Sequence, residues 1–217
     1  SFIRRQGAFI YSRSKKWKNH PFNIPDAAID FSKIEQGLIE LKQNNIINDL
    51  VDFIVQPEEY CSFKHKIEFN SLYAIRCRDK KILEHFIAFK LLKLKRNDIY
   101  IDVGSQDSPF PTKLIKMGID AFSQDLTYRP GIHNRRIGSS ADNMPIADNS
   151  VDKISLQCTF EHFNGMVDTL FIQELRRVLK PGGKCCIVPL YLANTFTNYV
   201  EPAYDYSRIT FDRGARV

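Results

Sequence analysis

The sequence has little of several features that would narrow its function at once. It contains five cysteines in 217 residues, with no C-x-x-C pair and no cysteine and histidine spacing typical of a zinc site. Three of the five lie in apolar runs, which favours reduced thiols in a cytoplasmic protein over a disulfide framework. No apolar run approaches the ~20 residues of a membrane-spanning helix. We therefore expect a cytoplasmic protein with no transmembrane segment and no secretory signal.

Acidic residues are absent from the first twenty positions, which contain six basic ones. The net charge of +6 resides there, because the remainder carries 25 basic and 25 acidic residues. Such an arm is open to two interpretations: it contacts a polyanion or a membrane surface, or it packs its four aromatic residues. The shortness of the run and its lack of clean periodicity favour packing. Nucleic acid is not expected as a partner, since a phosphate-binding groove needs clustered basic residues.

The first 95 residues show helical patterns after an irregular start. Ser32-Lys33-Ile34-Glu35 has the spacing of a capping box and predicts a helix to about Lys42. A second short helix is predicted over Ile46–Val55, and a third over Asp79–Leu94, where apolar residues recur every three or four positions. We predict two domains on this basis: a basic arm with a helical appendage over 1–95, and an α/β core over 96–217.

Apolar runs and helical patterns alternate from residue 97 to residue 189. Strands are predicted at Ile99–Val103, Ile119–Gln124, Lys153–Leu156 and Lys184–Leu190. Such alternation is typical of a doubly wound, mainly parallel, Rossmann-like α/β sheet with helices on both faces. In such sheets the ligand lies at the carboxyl ends of the strands.

The first strand ends in a turn that contains a single glycine. Asp102-Val103-Gly104-Ser105-Gln106 has side chains at 106 and 108 where a dinucleotide-binding loop has its second and third glycines. A pyrophosphate needs that space, which disfavours a nicotinamide oxidoreductase. Asp125 ends the second strand, 21 residues beyond Gly104, and a carboxylate there suits the ribose hydroxyls of an adenosine. Asp125 alone would serve NAD and S-adenosylmethionine equally.

The stretch Ser139–Asp152 separates these two cofactors. Together with the glycine turn it resembles class I S-adenosylmethionine-dependent methyltransferases, whose pattern here is G-[DS]-A-x-x-L-P-F-x-D-x-S-F-D. Matching motifs span roughly residues 97–190. The resemblance implies that the cofactor is S-adenosylmethionine and that ten residues contact it. These are Asp102, Gly104, Ser105, Gln106, Asp125, Leu126, Ser140, Ala141, Asp142 and Gln157; whether Ser140 or Asp142 reads the adenine edge stays open.

The residues after the third of these strands resemble the "LEH" motif of the same family. Glu161 and His162 would lie at a helix start that borders the acceptor pocket. His162 is a candidate general base because the unperturbed pKa of histidine lies near neutrality. The alternative is a structural Glu-His pair that caps the helix. A metal-using branch of the family has a glutamate where this chain has Cys158, so no metal is predicted.

The last family feature is Arg177-Val178-Leu179-Lys180-Pro181-Gly182-Gly183, in which Gly182 is predicted to cap a helix. Beyond Tyr191 little room is left for the further helix and two strands of the family. We therefore expect either that the chain is truncated or disordered there or that the fold is abbreviated. The acceptor would enter beside Tyr191–Phe196, with an aromatic lid built from Tyr60, Phe63 and Tyr73.

Two functions fit these observations. The first is methyl transfer from S-adenosylmethionine to a small-molecule, sugar or lipid acceptor. The second is a binding or scaffold domain that retains the fold and has lost catalysis, which the absent loop glycines favour. The sequence leaves the oligomeric state open.

Overall fold

The structure is a computed structural model that describes residues 30–67, 74–106 and 108–190. The basic arm, Tyr73, the loop Tyr191–Phe196 and the C-terminal tail lie outside these residues, as do the predictions made for them. Of the described residues, 30–52 belong to one compact unit and 53–190 to another. The sequence-based domain boundary at residue 95 stays a prediction.

The first unit contains helix α1, Phe31–Gln43. It confirms the predicted helix but corrects its cap, because the Asp30 carboxylate accepts the Lys33 N–H at 3.2 Å and Ser32 lies inside the first turn. The predicted helix over Ile46–Val55 is wrong: residues 44–56 are not helical. Asn45, with φ +56°, ends the helical path, and the apolar side chains that follow do not form a buried face, since Val51 is 72% exposed.

The second unit contains the remaining elements. Helix α2, Pro57–Ile67, was not predicted, although proline at the first position and acidic residues in the first turn are typical helix starts. The other helices are α3 (Ala74–Leu92), α4 (Phe110–Lys116) and α5 (Val167–Val178). The strands are β1 (Ile99–Val103), β2 (Asp120–His133), β3 (Arg136–Gly138), β4 (Val151–Gln157) and β5 (Leu179–Val188).

The five strands form one sheet in the order β3-β2-β1-β4-β5, and every neighbouring pair is assigned as parallel. Parallel neighbours with intervening helices make this a Rossmann-like α/β fold, as predicted. The carboxyl ends of β1, β2 and β4 therefore meet at one edge of the sheet.

Side chains alternate between the two faces of the sheet, and each face has its own core. Tyr100 of β1 packs with α2, α3 and α4 through Phe63, Phe86 and Phe110. Its neighbour Ile101 packs on the other face with residues of β4 and α5 such as Phe171. Helices thus cover both faces. Phe63, predicted to line a lid, is 6% exposed and belongs to the first of these cores.

Strand β2 is much longer than the strand predicted over Ile119–Gln124. Its first part pairs with β3 from Ser123–Arg136 to Asp125–Gly138, and its last residues pair with the same strand again through Ile132–Ile137. After Asp125 the chain continues in an extended conformation to the end of β2, and the two-residue turn Asn134-Arg135 leads into β3. A crossover between parallel strands ordinarily contains a helix; the residues between β2 and β3 contain none.

The predicted helix cap at Gly182 is wrong. Helix α5 ends at Val178, and Leu179 is already extended, with φ −73° and ψ 134°. Gly182, with φ +78°, lies in an irregular part of β5 that pairs with β4 at Val151–Leu179 and again from Lys153–Lys184. Pro181 accounts for the early end, because the residue before a proline avoids the helical region.

Helices α2 and α3 lie in the same unit as the sheet, and α3 packs against β4 and β5. None of the described helices is both long enough and apolar enough to cross a membrane.

Candidate functional site

The turn after β1 requires glycine at one position. Gly104 has φ +68°, and a Cβ placed there would overlap the side chain of Thr159, which follows β4. Gln106 also has a positive φ, +44°, an uncommon conformation for a residue with a side chain. The hydrogen bond that Gln106 N–H donates to Asp125 Oδ2, 2.9 Å long, holds the turn against the end of the parallel part of β2.

Asp125 faces this turn with part of its hydrogen-bonding capacity still open. Its Oδ1 accepts from Thr127 N–H at 2.8 Å and from the Thr127 hydroxyl at 2.7 Å. Its Oδ2 accepts only from Gln106. Since each carboxylate oxygen has two lone pairs, one acceptor position remains on Oδ2 beside the glycine turn. The structure therefore brings Asp125 and Gln106 together, as the proposed ribose contact requires.

Gln124 ties the glycine turn to the loop after β3, a role that the sequence analysis missed. Its side chain is 2% exposed, accepts the Gly104 N–H at 3.3 Å and donates to the Ser139 carbonyl at 2.5 Å. Its backbone carbonyl accepts from Ser105 N–H at 2.9 Å. The signal in the sequence was an amide at the end of a predicted strand, directly before Asp125.

The loop Ser139–Asp142 follows β3, whose last residue Gly138 pairs with Asp125. Ser140 and Asp142 are half-buried, and Ala141 is 6% exposed within the core. The loop therefore lies at the same sheet edge as the glycine turn. Both residues proposed to read the adenine edge are accessible there, so the structure leaves the choice between them open.

Three buried polar atoms along this edge have no hydrogen-bond partner among the described residues: Asp102 Oδ2, Ser105 Oγ and Ser139 Oγ. Buried polar atoms in native proteins are almost always paired, so each of these calls for an additional partner. All three belong to, or adjoin, segments that the sequence assigned to the cofactor. The donor set thus fits a polar ligand such as the amino-acid and nucleoside ends of S-adenosylmethionine.

Asp102 is the most buried carboxyl group among the described residues of the site, with 1% of its surface exposed. Burial raises the pKa of its carboxyl to about 7, and the nearby hydroxyls of Ser105 and Tyr100 and the charge of Lys81 only partly oppose this. The Tyr100 hydroxyl lies 3.4 Å from Asp102 Oδ1 and hydrogen-bonds Ser155. The pKa of the tyrosine is itself raised, chiefly by burial.

Helix α3 adds charged groups that the sequence analysis also missed. Glu84 is 4% exposed and accepts from Lys81 Nζ at 2.9 Å and from the Cys158 thiol at 3.3 Å. Burial raises the pKa of Cys158, and Glu84 adds to this, so the thiol is not an activated nucleophile. His85, stacked on Phe110 with ring centroids 4.1 Å apart, is kept neutral because burial lowers its pKa to about 3.

The end of β4 approaches the glycine turn through backbone rather than side chains. Gln157 turns inward and donates to Ser155 Oγ at 2.7 Å, while Cys158 has φ +51°. Cys158 N–H donates to the Val188 carbonyl at 3.0 Å. The backbone at 157 and 158 is thus fixed at the edge where the methionine end of the cofactor is expected.

The remaining predicted residues are more exposed. Leu126 is 76% exposed, which leaves it without a packing role in the free protein. Glu161 and His162 form an exposed 3-10 turn, Phe160–His162, and neither side chain makes a hydrogen bond or ion pair within the described residues. The helix predicted to start there begins only at Val167. The two side chains do not cap it, because its N-terminal cap, Met166, receives no side-chain hydrogen bond.

Arg177 of α5 fixes the stretch Met144-Pro145-Ile146 that carried part of the family resemblance. Its guanidinium donates to the carbonyls of Met144 and Ile146, at 3.0 and 2.6 Å, and pairs with Glu174 and Asp148. Glu174 in turn accepts Met144 N–H at 2.7 Å. Hydrogen bonds to Glu174 and Asp148 raise the pKa of Arg177. This stretch therefore supports the loop that precedes it.

No cluster of three or more histidine, cysteine, aspartate or glutamate side chains suited to a metal occurs in the part of the chain that the structure describes.

Comparison with known proteins gives one family match. Residues 117–187, about a third of the chain, match the family model of a methyltransferase domain. No curated protein matches the chain.

Several solved structures are similar to part of the chain. They include the YcgJ protein of Bacillus subtilis (19% identity, 48% of this chain and 49% of that one, TM-score 0.42). A protein of Pyrococcus horikoshii OT3 is 22% identical over 61% of this chain and 66% of its own, with a TM-score of 0.44. A SAM-dependent methyltransferase of Aquifex aeolicus is 19% identical over 62% and 72%, with a TM-score of 0.40.

The chain spans about half the length of YcgJ. The matched segment 117–187 contains β2, β3, β4, α5 and most of β5, and therefore most of the sheet edge described above. Over this segment the chain is similar to methyltransferase domains, in agreement with the resemblance that its own motifs carry.

Proposed function

We propose that the protein transfers a methyl group from S-adenosylmethionine to a small-molecule, sugar or lipid acceptor. The observation that carries this proposal is the sheet edge at which Gly104, Asp125 and the loop Ser139–Asp142 meet. Three unpartnered buried polar atoms lie along it. A cytoplasmic location, expected from the unpaired cysteines, belongs to the same proposal.

Each part of this edge has a role in holding the cofactor. Asp125 Oδ2 accepts a ribose hydroxyl, because one of its lone pairs remains open. The backbone of Ser105 and Gln106 would contact the ribose, and Ser140 or Asp142 would hydrogen-bond the adenine edge. Asp102 and the backbone of Gln157 serve the amino-acid end, where Asp102 Oδ2 and Ser105 Oγ gain partners. Leu126, 76% exposed, covers apolar surface of the adenosine.

S-adenosylmethionine supplies a methyl group that is already activated by its sulfonium, so the protein mainly has to position the acceptor. His162 and Glu161 are exposed and make no competing hydrogen bonds within the described residues. They are therefore available to take a proton from a hydroxyl acceptor. The acceptor class rests on the size of the core and its near-balanced charge, which do not suit a large nucleic acid.

Calorimetric titration with S-adenosylhomocysteine tests the proposal. Saturable 1:1 binding by the folded protein, together with transfer of labelled methyl groups to at least one member of a metabolite panel, is expected. If folded protein shows no binding, the cofactor assignment is wrong.

A second candidate is a binding domain without catalysis, and one observation favours it. The Thr159 side chain packs against Gly104 so closely that it occupies the space in front of the turn. Gln106 and Ser108 also fill positions that are glycine in the family pattern. This candidate would be favoured if the protein binds S-adenosylhomocysteine but transfers no methyl group to any member of a broad acceptor panel. The Thr159→Gly variant should then show no methyl transfer either.

A further inference from the structure

A cavity of about 250 Å³ lies between α4, β2 and the β2–β3 turn. It lies beside the two-residue turn Asn134-Arg135 that joins β2 to β3. Its walls are formed by α4 through Pro111 and Thr112, by β2 through Ser123 and Tyr128, and by the turn at Asn134. The cavity adjoins the glycine turn at Gln106 but lies outside the edge assigned to the cofactor.

The chemistry of the lining is that of an anion site. Two guanidinium groups, Arg135 and Arg136, and the Asn134 amide provide nitrogen donors. Hydroxyls of Ser108 and Thr112 line the opposite wall. No carboxylate is among the described residues that line the cavity. Of the two guanidinium charges, that of Arg135 is paired with Asp120, which leaves one positive charge, that of Arg136, without a salt bridge among the described residues.

The two arginines differ in their present partners. Arg135 pairs with Asp120 and lies over the Phe122 ring, 5.2 Å from its centroid. Arg136 lies over the Tyr128 ring at 5.0 Å and makes no salt bridge within residues 30–67, 74–106 and 108–190. Its charge is exposed at the cavity and uncompensated, so Arg136 is the group best placed to engage an anion.

The turn that presents these groups is held in an uncommon conformation. Asn134 and Arg135 have φ values of +48° and +65°, and the second is unusual for an arginine. Arg135 is fixed by Asp120, and the backbone beyond it places Arg136 at the cavity mouth. The turn therefore fixes the backbone from which these donors extend, although the side chains of Asn134, Arg135 and Arg136 are exposed.

We propose that this cavity binds the phosphate group of a small phosphorylated molecule. The planar guanidinium fork matches phosphate oxygens, and hydroxyl and amide donors complete the hydrogen bonds. The volume is below the ~300–1,000 Å³ of sites for drug-sized ligands, which suits a single phosphate with a small substituent. This inference goes beyond the proposed methyl transfer and does not depend on it.

The test is calorimetric titration of the full chain with inorganic phosphate and with glycerol 3-phosphate, at constant ionic strength, with glycerol as the uncharged control. Saturable binding of both anions and none of glycerol is expected. Arg136→Gln should weaken binding at least about ten-fold, the loss expected for a charge-assisted hydrogen bond. Arg129→Gln, which removes an exposed arginine that does not line the cavity, should change it less than about two-fold.

Hydrogen exchange provides a second measurement, in case a variant folds poorly. Phosphate should slow exchange of the wild-type amides at 108–112 and 134–136. Absence of saturable binding, or equal weakening by Arg129→Gln and Arg136→Gln, would overturn the proposal, since equal weakening indicates general charge attraction. A parallel titration with S-adenosylhomocysteine separates the two proposals, because the cofactor and the phosphate are measured independently.

Discussion

Asp102 places a carboxyl group where water cannot reach it, at the end of a strand whose neighbouring side chains are apolar. The group is 1% exposed, and one of its oxygens has no partner in the described structure. A buried carboxyl without a paired cation favours its neutral form. The stability of the protein should therefore depend on pH through this residue.

Asp102→Asn is expected to change that dependence. The pKa of Asp102 is raised from 3.8 to about 7 on folding, so between pH 4 and 7 the folded state binds a proton that the unfolded state has lost. Its contribution to the free energy of unfolding falls as the pH rises through this window and is constant above it. The asparagine variant lacks this fall, so its free energy of unfolding relative to that of the wild type should rise by at most about 4 kcal/mol from pH 4 to above pH 7.

Urea unfolding of the wild type and Asp102→Asn between pH 4 and 8 measures this difference. The comparison with the variant is needed because His85 contributes a pH dependence of the free energy of unfolding that is opposite in sign to that of Asp102. Its pKa, lowered to about 3 by burial, makes the folded state lose stability as the pH falls below 6.5. That contribution is common to both proteins and cancels. Parallel pH profiles for the two proteins would show that Asp102 is charged throughout the range.

Asp125→Ala should weaken the binding of S-adenosylhomocysteine by about 1.5–3 kcal/mol, the usual value for a lost hydrogen bond to a charged group. The variant should remain folded, because Asp125 is half-buried and its partners Gln106 and Thr127 are accessible to water. Calorimetry measures the affinity, and Asp168→Ala, at an exposed aspartate of α5, is the matched control. Unchanged affinity would show that Asp125 does not contact the ribose and that another residue does.

At the scale of whole elements, α5 organises a loop of the site through two side chains. Glu174 is 7% exposed and receives hydrogen bonds from Arg177 and from Met144 N–H. Arg177 reaches two carbonyls of the same stretch. The loop between β3 and β4 thus depends on a helix that follows it by thirty residues.

Arg177→Leu should destabilise the protein by about 2–4 kcal/mol. The estimate lies somewhat below the ~3–5 kcal/mol for breaking a fully buried pair, because the arginine side chain is 34% exposed. The neighbouring Arg176 on the same helix is exposed, and Arg176→Leu should cost less than about 0.5 kcal/mol. The midpoint of urea unfolding, at unchanged slope, measures both. Equal effects of the two variants would contradict the role given to Arg177.

The sequence predicted those elements whose local pattern agrees with their final environment. Strands β1 and β4 are short and rich in β-branched residues and leucine at their buried positions, and both were located to within a few positions. Strand β2 was cut short, because its exposed continuation after Asp125 is stabilised only by pairing with β3, which local composition does not reveal. Helix α2 was not predicted, although Pro57 is a favourable first helical residue.

Prediction of the site residues from the sequence was limited in the same way, because local pattern does not reveal long-range contacts. Gly104 and Asp125 were predictable because a backbone requirement and a strand end mark them in the sequence. Gln124, Lys81 and Glu84 were not, because their importance comes from contacts across 15 to 74 positions, such as Glu84 with Cys158. Polar residues in an otherwise apolar strand or helix face were the one available signal.

On the scale of the whole molecule, charge separates the N-terminal arm from everything after it. The excess of six basic residues lies in the first twenty positions, and the rest of the chain is neutral in total. Within the sheet-containing unit, the basic residues near the β2–β3 turn form a local site rather than an extended surface. An interaction with a long polyanion would therefore have to depend on the arm.

Deleting residues 1–20 distinguishes the two interpretations of the arm. We expect packing, because exposing four aromatic residues to water costs more free energy than six charges would gain from a polyanion. The rest of the chain, which is neutral in total, would add nothing to the binding of such a partner. Deletion should then lower the free energy of unfolding and leave the affinity for S-adenosylhomocysteine nearly unchanged. Binding of the intact chain to acidic liposomes or to DNA should be negligible already at low salt. Salt-sensitive binding that disappears with the arm would favour a polyanion contact instead, since attraction between exposed charges is screened over ~10 Å at 0.1 M salt.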